Sequence, residues 1–247
     1  DQPIYNEDRT KVLVFNGEIY NYQDIRKDLL AAGHVFRTQT DSEVLIHGYE
    51  EYGPELLPRL RGMFSFVIWD TVKKELFGAR DFFGIKPFYY TIANGNLIYA
   101  SEIKAILAHP DVRKEVNPIA LENYLTFQYS VLEETFFKGI FKLMPAHCFT
   151  FKDGKMDIKR YWEPVFEADH SKSLEEYVDE IDAAMQDSIK AHKVADVEVG
   201  SFLSSGVDSS YVAACFHGDK TFTVGFDYEK YNEIDYAKAL SEKIKID

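Results

Sequence analysis

Val197-Glu198-Val199-Gly200-Ser201-Phe202-Leu203, then Ser204-Ser205-Gly206-Val207-Asp208-Ser209-Ser210, then Tyr211 to His217 read as a strand, a hydroxyl-rich turn and a helix. That order makes an anion cradle, because backbone N–H groups at a helix start and the helix dipole both face negative charge. The Gly-Lys-Ser/Thr ending of the commoner phosphate loop is missing. Phosphate oxygens would therefore fall to main-chain amides and the hydroxyls of Ser204, Ser205, Ser209 and Ser210, with Asp208 placed to hold a magnesium ion. A plainer reading is a serine-rich turn in which Asp208 caps a helix. On the cradle reading the ligand is pyrophosphate, and an ATP-splitting enzyme is the first hypothesis.

Outward from this turn, Thr221 to Phe226 reads as a second strand and Ile234 to Ile244 as a helix. Strand, helix and strand joined by parallel connections open a doubly wound nucleotide-binding domain. Two parallel strands cannot build a sheet covered on both faces, so this domain is expected to be cut short. Upstream, Ser173 and Glu176 form a capping box. Leu174, Tyr177, Val178, Ile181, Ala184, Met185 and Ile189 follow at helical spacing, a stripe expected to pack in a core. Residues 163–172 lack periodicity and read as a linker, giving domains at 1–162 and 173–247.

The front domain reads as strand-rich α/β. Lys11 to Phe15 suits a buried strand, and Tyr22 to Ala32 a helix stopped by Gly33. Asp41 is placed as the N-cap of a helix reaching Tyr52. Met63 to Trp69 and Glu75 to Ala79 flank a polar turn. Phe88 to Ala93 pairs with Leu97 to Ala100 across Asn94-Gly95, and Ala146 to Phe151 with Lys155 to Tyr161 across Asp153-Gly154. After the first strand, Asn16-Gly17-Glu18-Ile19-Tyr20-Asn21 is expected to be a loop. There an Asn side chain beside a glycine N–H could stabilise an oxyanion and Glu18 could hold an ammonium, or the residues could simply serve turn geometry.

With 247 residues, 46% hydrophobic and 15% aromatic, the chain can bury a sizeable core. A net charge of -13 with no basic stripe argues against nucleic acid or an anionic membrane as partner. Cys148 and Cys215 have no metal-ligand spacing and are expected in the core, and with no signal segment a reducing cytoplasm fits. His34, His47, His109, His147, His170, His192 and His217 share no spacing for a metal site or triad. Arg80 and Asp81 are expected to fix a loop rather than to catalyse.

Asn16 to Asn21 is similar to the NGEIYN motif of class II glutamine amidotransferases, and Thr40-Asp41-Ser42-Glu43 to their T/S-D-x-E segment. Residues 61–66, 79–87 and 100–104, and Tyr161-Trp162, resemble the same family. Ser204 to Ser210 resembles the SGGxDS loop of PP-loop ATP pyrophosphatases. In this order the motifs resemble the glutamine-hydrolysing asparagine synthetases.

The resemblance implies an αββα N-terminal-nucleophile hydrolase domain followed by a synthetase domain. The first would release ammonia from glutamine, and the second would use ATP to amidate aspartate through β-aspartyl-AMP. It implies that Asn16 and Gly17 bind the oxyanion, and that Glu18 and Asp41 hold the glutamine amine. Leu203, Ser204, Ser205, Gly206, Asp208, Ser209, Ser210 and Val224 would bind ATP, with Mg²⁺ on Asp208.

Two departures stand out. Ser205 replaces a loop glycine, so it is either strained by a positive φ, at a cost of about 1 kcal/mol, or adds a phosphate donor. The family's N-terminal cysteine and the rear ATP and aspartate contacts are not in this sequence, so the polypeptide is expected to be silent in both half-reactions and, with sheet edge exposed, to self-associate, a homodimer being one form. Two other functions stay open: an amidotransferase for another carboxylate acceptor, and a non-catalytic nucleotide-binding or assembly module.

Overall fold

In the computed structural model, residues 2–130, 132–216, 218, 220–225 and 233–246 are described. They fall into two compact units, 1–165 and 166–247.

In the first unit, β1 (Ile4–Tyr5) and β2 (Lys11–Ile19) precede α1 (Tyr22–Ala31), α2 (Glu43–Tyr52) and a 3-10 turn at Gly53–Arg59. Then come β3 (Gly62–Asp70), β4 (Glu75–Arg80), β5 (Tyr89–Ala93), β6 (Asn96–Ala100), α3 (Ile103–Leu107), α4 (Pro118–Phe127), β7 (Phe141–Lys142), β8 (His147–Lys152) and β9 (Lys155–Arg160). Six strands form one antiparallel sheet in the order β1-β2-β3-β4-β8-β9, and a smaller sheet runs β6-β5-β7.

Alternation along the strands builds two cores. Leu13, Phe15 and Ile19 of β2, with Phe64, Phe66 and Ile68 of β3, turn to one face and pack against Ile25 and Leu29 of α1 and Val44 to Ile46 of α2. The opposite face sends Val67, Phe149 and Phe151 against Tyr90 of the smaller sheet and against Phe88 and Leu143, which flank its strands. Helix α3 lies outside that second core, packed on β5 and β6 with Ile106 fully buried. Helices, sheet, sheet and helix are the expected αββα layers. Both predicted hairpins form: Asn94 and Gly95 have φ 50° and 79°, Asp153 and Gly154 φ 51° and 75°, as tight turns with two left-handed residues require.

Two expectations fail here. The first strand does not stop at Phe15, because β2 continues through Asn16, Gly17 and Glu18, paired with Ser65, Phe64 and Met63. The glycines permit this: a Cβ on Gly17 would sit 2.1 Å from the Met63 carbonyl oxygen, and one on Gly62 2.2 Å from that of Glu18. Asp41 does not cap α2 either. Ser42 holds the N-cap position with no side-chain cap bond, and the Asp41 carboxylate accepts the Ile19 N–H at 2.8 Å instead.

The second unit holds α5 (Leu174–His192), β10 (Ser201–Phe202), α6 (Val207–Phe216), β11 (Thr221–Phe222) and α7 (Ile234–Ile244). The Ser173–Glu176 capping box forms, and β10 and β11 are parallel. The α5 stripe is not core: no residue of that helix is buried, and Leu174 is 80% exposed. Its lower half packs on α6, where Met185 and Ile189 are half-buried beside Val212 and Phe216, while Leu174, Val178 and Ile181 stay exposed. Both strands are shorter than expected, since backbone pairing is confined to two residues each; the predicted ends at His217 and Phe226 lie outside the described residues. No helix among the described residues is long and apolar enough to cross a membrane.

Phe149 is 1% exposed and packs against the Phe88 ring in a tilted pair with centroids 5.5 Å apart. Phe149→Ala is expected to lower unfolding free energy by about 3–5 kcal/mol in urea titration.

Candidate functional site

The edge of β2 is where the front-domain residues meet. In an antiparallel ladder alternate residues turn their N–H to opposite neighbours. Phe15 donates its N–H to the Gln2 side chain and accepts from it, both at 2.7 Å, while Ile19 donates to Asp41. Tyr20, of the other parity, donates to Arg61 at the β3 end. Across the ladder, Phe64 spends both its backbone groups on Asp81, not on Gly17. Gly17 therefore turns its N–H to the open edge, between Gln2 and Asp41.

Asn16 and Glu18 share the face that looks toward the smaller sheet. Asn16 donates its side-chain amide to the Ser101 hydroxyl at 3.1 Å and lines a cleft of about 360 Å³ with Phe88, Tyr99 and Ala100. Glu18 is half-buried, and its charge, with burial as the larger cause, raises the Tyr20 phenol above its usual range. A carboxamide and a backbone N–H at one corner, with Glu18 and Asp41 beside them, supply donors for a developing oxyanion and carboxylates for an ammonium.

Sequence reasoning missed the groups that hold this corner. Glu43, 2% exposed, accepts from the N–H groups of Arg37 and Thr38 and from the Thr38 hydroxyl at 2.7–3.0 Å, fixing the loop that delivers Asp41. Ser42 donates its hydroxyl to the other Asp41 oxygen at 3.3 Å.

Arg80 and Asp81 fix a loop as expected. Asp81 accepts the N–H groups of Phe64, Phe83, Ile85 and Lys86, and Arg80 donates to the carbonyls of Gly84, Lys86 and Leu143. Burial lowers the Arg80 pKa. Tyr161 donates to the Arg80 carbonyl at 2.7 Å, and burial raises its phenol far above the usual range. Of the cysteines, Cys148 is buried and Cys215 half-buried.

In the second unit the predicted turn is shorter than the motif. Val207 to Ser210 already belong to α6, leaving Ser204 to Gly206 as the bend. Ser205 is not among the positive-φ residues, so it carries no left-handed strain and its hydroxyl remains as a donor. The Ser204 N–H donates to Ser209 Oγ, the Gly206 N–H to Ser204 Oγ, and the Ser205 N–H to a Glu233 carboxylate oxygen at 3.3 Å. Loop and Asp208 are exposed at the start of a ten-residue helix, and one amide already holds an anionic oxygen. These residues fit a phosphate group with a bridging cation.

Leu203 differs from expectation. Its side chain is 3% exposed, packed with Ala213 and Ala237, and its N–H and carbonyl are bonded to the Phe222 carbonyl and the Thr223 hydroxyl. Val224 is 71% exposed.

The family model described as "Glutamine amidotransferase domain" matches residues 1–162, and the one described as "Asparagine synthase" matches residues 180–247. The chain is similar to "Asparagine synthetase [glutamine-hydrolyzing] 1" of Bacillus subtilis (strain 168), 40% identical over 100% of this chain and 39% of that protein. It is 42% identical to "Putative asparagine synthetase [glutamine-hydrolyzing]" of Mycobacterium bovis over 94% of this chain and 38% of that protein. A third relative, "Amidase chyE" of Penicillium rubens, is 34% identical over 86% of this chain and 32% of its own length. The chain thus spans 39% or less of these curated relatives.

Glu43→Ala strands three donors at residues 37 and 38. It is expected to cost roughly 2–3 kcal/mol in thermal unfolding and to speed amide exchange at residues 37–41, leaving α1 protected.

Proposed function

The chain belongs to the glutamine amidotransferase family, and on that premise we propose that the protein carrying it makes asparagine from aspartate with glutamine as nitrogen donor and ATP as energy source. The observation that carries this is the β2 edge, where the Asn16 carboxamide is held by Ser101 beside the outward Gly17 N–H.

On this reading glutamine sits with its side-chain carbonyl oxygen at Asn16 and Gly17. As the amide carbon becomes tetrahedral, negative charge grows on that oxygen, and donors already in place need no reorganisation to meet it. Glu18 and Asp41 hold the α-ammonium, Asp41 oriented by Ile19 and Ser42. In the second unit, Ser204, Ser205, Gly206, Ser209 and Ser210 would hold pyrophosphate, with Mg²⁺ on Asp208. Bound ATP would supply an adenylyl group to the aspartate β-carboxylate with release of pyrophosphate, so that ammonia can add to the activated acyl carbon and displace AMP. The Leu203 and Val224 backbone would flank the nucleoside. The remaining chemistry of this chain is positional: Glu43, Arg80 and Asp81 keep the glutamine corner in shape.

A cytoplasmic setting and a homodimer belong to the same proposal, as does the absence of nucleic-acid and membrane partners, which the net charge of -13 supports. A second reading keeps the chemistry and changes the acceptor; the similarity to an amidase favours weighing it. Product analysis by mass spectrometry with aspartate as sole acceptor separates the two.

In the native polypeptide, Asn16→Ala is expected to lower glutaminase kcat by about 10²–10³-fold while ammonia-dependent synthesis continues. Unchanged glutamine turnover would remove the oxyanion assignment. Asp208→Ala is expected to abolish the Mg²⁺ dependence of ATP binding in calorimetry and to leave glutamine hydrolysis intact.

A further inference from the structure

Four side chains with no part in either reading converge beside the helical layer: Glu7 from the β1–β2 connection, His34 after α1, and His47 and Glu50 on α2. One ligand atom from each lies within 4.8 Å of the others. His47 is 1% exposed, and neither of its ring nitrogens has a hydrogen-bond partner; the Oε2 atom of Glu50 is likewise buried and unpartnered. Buried polar atoms left in this way are costly and are rarely tolerated without a ligand or water.

The spacing explains them better than hydrogen bonding does. His47 Nδ1 stands 3.3 Å from Glu7 Oε2 and 3.5 Å from Glu50 Oε2, while His34 Nδ1 shares a hydrogen bond with the other Glu7 oxygen, Oε1, at 3.2 Å, which orients that ring. Hydrogen bonds of this type centre near 2.9 Å. Tetrahedral ligands on bonds of about 2.0–2.1 Å lie roughly 3.3–3.4 Å apart. The second oxygen of each carboxylate is already held: Glu7 Oε1 accepts the Val35 N–H at 3.0 Å, and Glu50 Oε1 accepts from Asn6 at 2.7 Å and pairs with Lys11 at 3.4 Å. Outer partners that orient ligands in this manner are a mark of metal sites.

We propose that Glu7, His34, His47 and Glu50 form a structural site for a divalent transition metal, with Zn²⁺ the best fit. Two imidazoles and two carboxylates suit zinc, whereas Mg²⁺ and Ca²⁺ take six or more oxygens. Two carboxylates balance the charge of the cation. Four protein ligands leave no open position, so the role is to tie the β1–β2 connection to α1 and α2. His34 and His47 lie thirteen residues apart in sequence, and only the α1–α2 packing brings their rings to 5.2 Å.

The test is zinc titration of the chelator-stripped protein against a chromophoric competitor, with melting followed in parallel. One zinc per chain is expected, with a raised Tm reversed by chelator. His47→Ala and, independently, the near-isosteric Glu50→Gln are each expected to weaken zinc binding by about 100-fold or more, since even outer partners contribute 10–100-fold. Zinc affinity unchanged in both variants would overturn the proposal. So would a Tm that responds to acidification but not to zinc, which would make the cluster a pair of protonated histidines only.

Discussion

Strands β2 and β3 approach so closely at Gly17 and Gly62 that a methyl group on either would collide with a carbonyl oxygen of the other strand, at 2.1 Å and 2.2 Å. That contact lets nine residue pairs run unbroken from Lys11–Asp70 to Ile19–Gly62. Everything in the corner at Asn16 and Gly17 inherits its position from this register. A slip of one residue would send Asn16 to the helical face and Phe15 to the cleft. Asp81 reinforces the register from the other side, holding both backbone groups of Phe64 opposite Gly17.

The corner is built by backbone capture more than by ion pairing. Glu43, Asp81 and Arg80 each bond several main-chain groups of one short loop. Charged groups used in this way are desolvated but satisfied, which avoids the cost of an unpaired buried charge. The aromatic pairs of Phe82 with Tyr161 and Trp162, at 5.4 Å and 5.5 Å, seal the far side of the same loop.

Local signals carried the fold well where they were self-sufficient. Asn94-Gly95 and Asp153-Gly154 specify their turns through left-handed φ values, and Ser173 with Glu176 specifies its helix start. Signals that depend on partners were misread. Asn16 to Ile19 has loop composition and becomes strand only because β3 pairs with it. Asp41 has an N-cap's sequence position, yet Ile19 takes its carboxylate. The α5 stripe shows periodicity, but periodicity cannot say what covers a face. His34 and His47 had no spacing signal at all, since their meeting is a product of helix packing.

Gln2 and Asp41 together decide what the β2 edge accepts. Gln2 imitates a strand residue at Phe15, matching its N–H and carbonyl in turn, and Asp41 occupies Ile19. A visiting β-strand needs a row of free groups, and here it would find one amide flanked by two occupied neighbours. The edge is thereby a keyhole, wide enough for a single carbonyl and closed to the templated stacking by which bare strands aggregate.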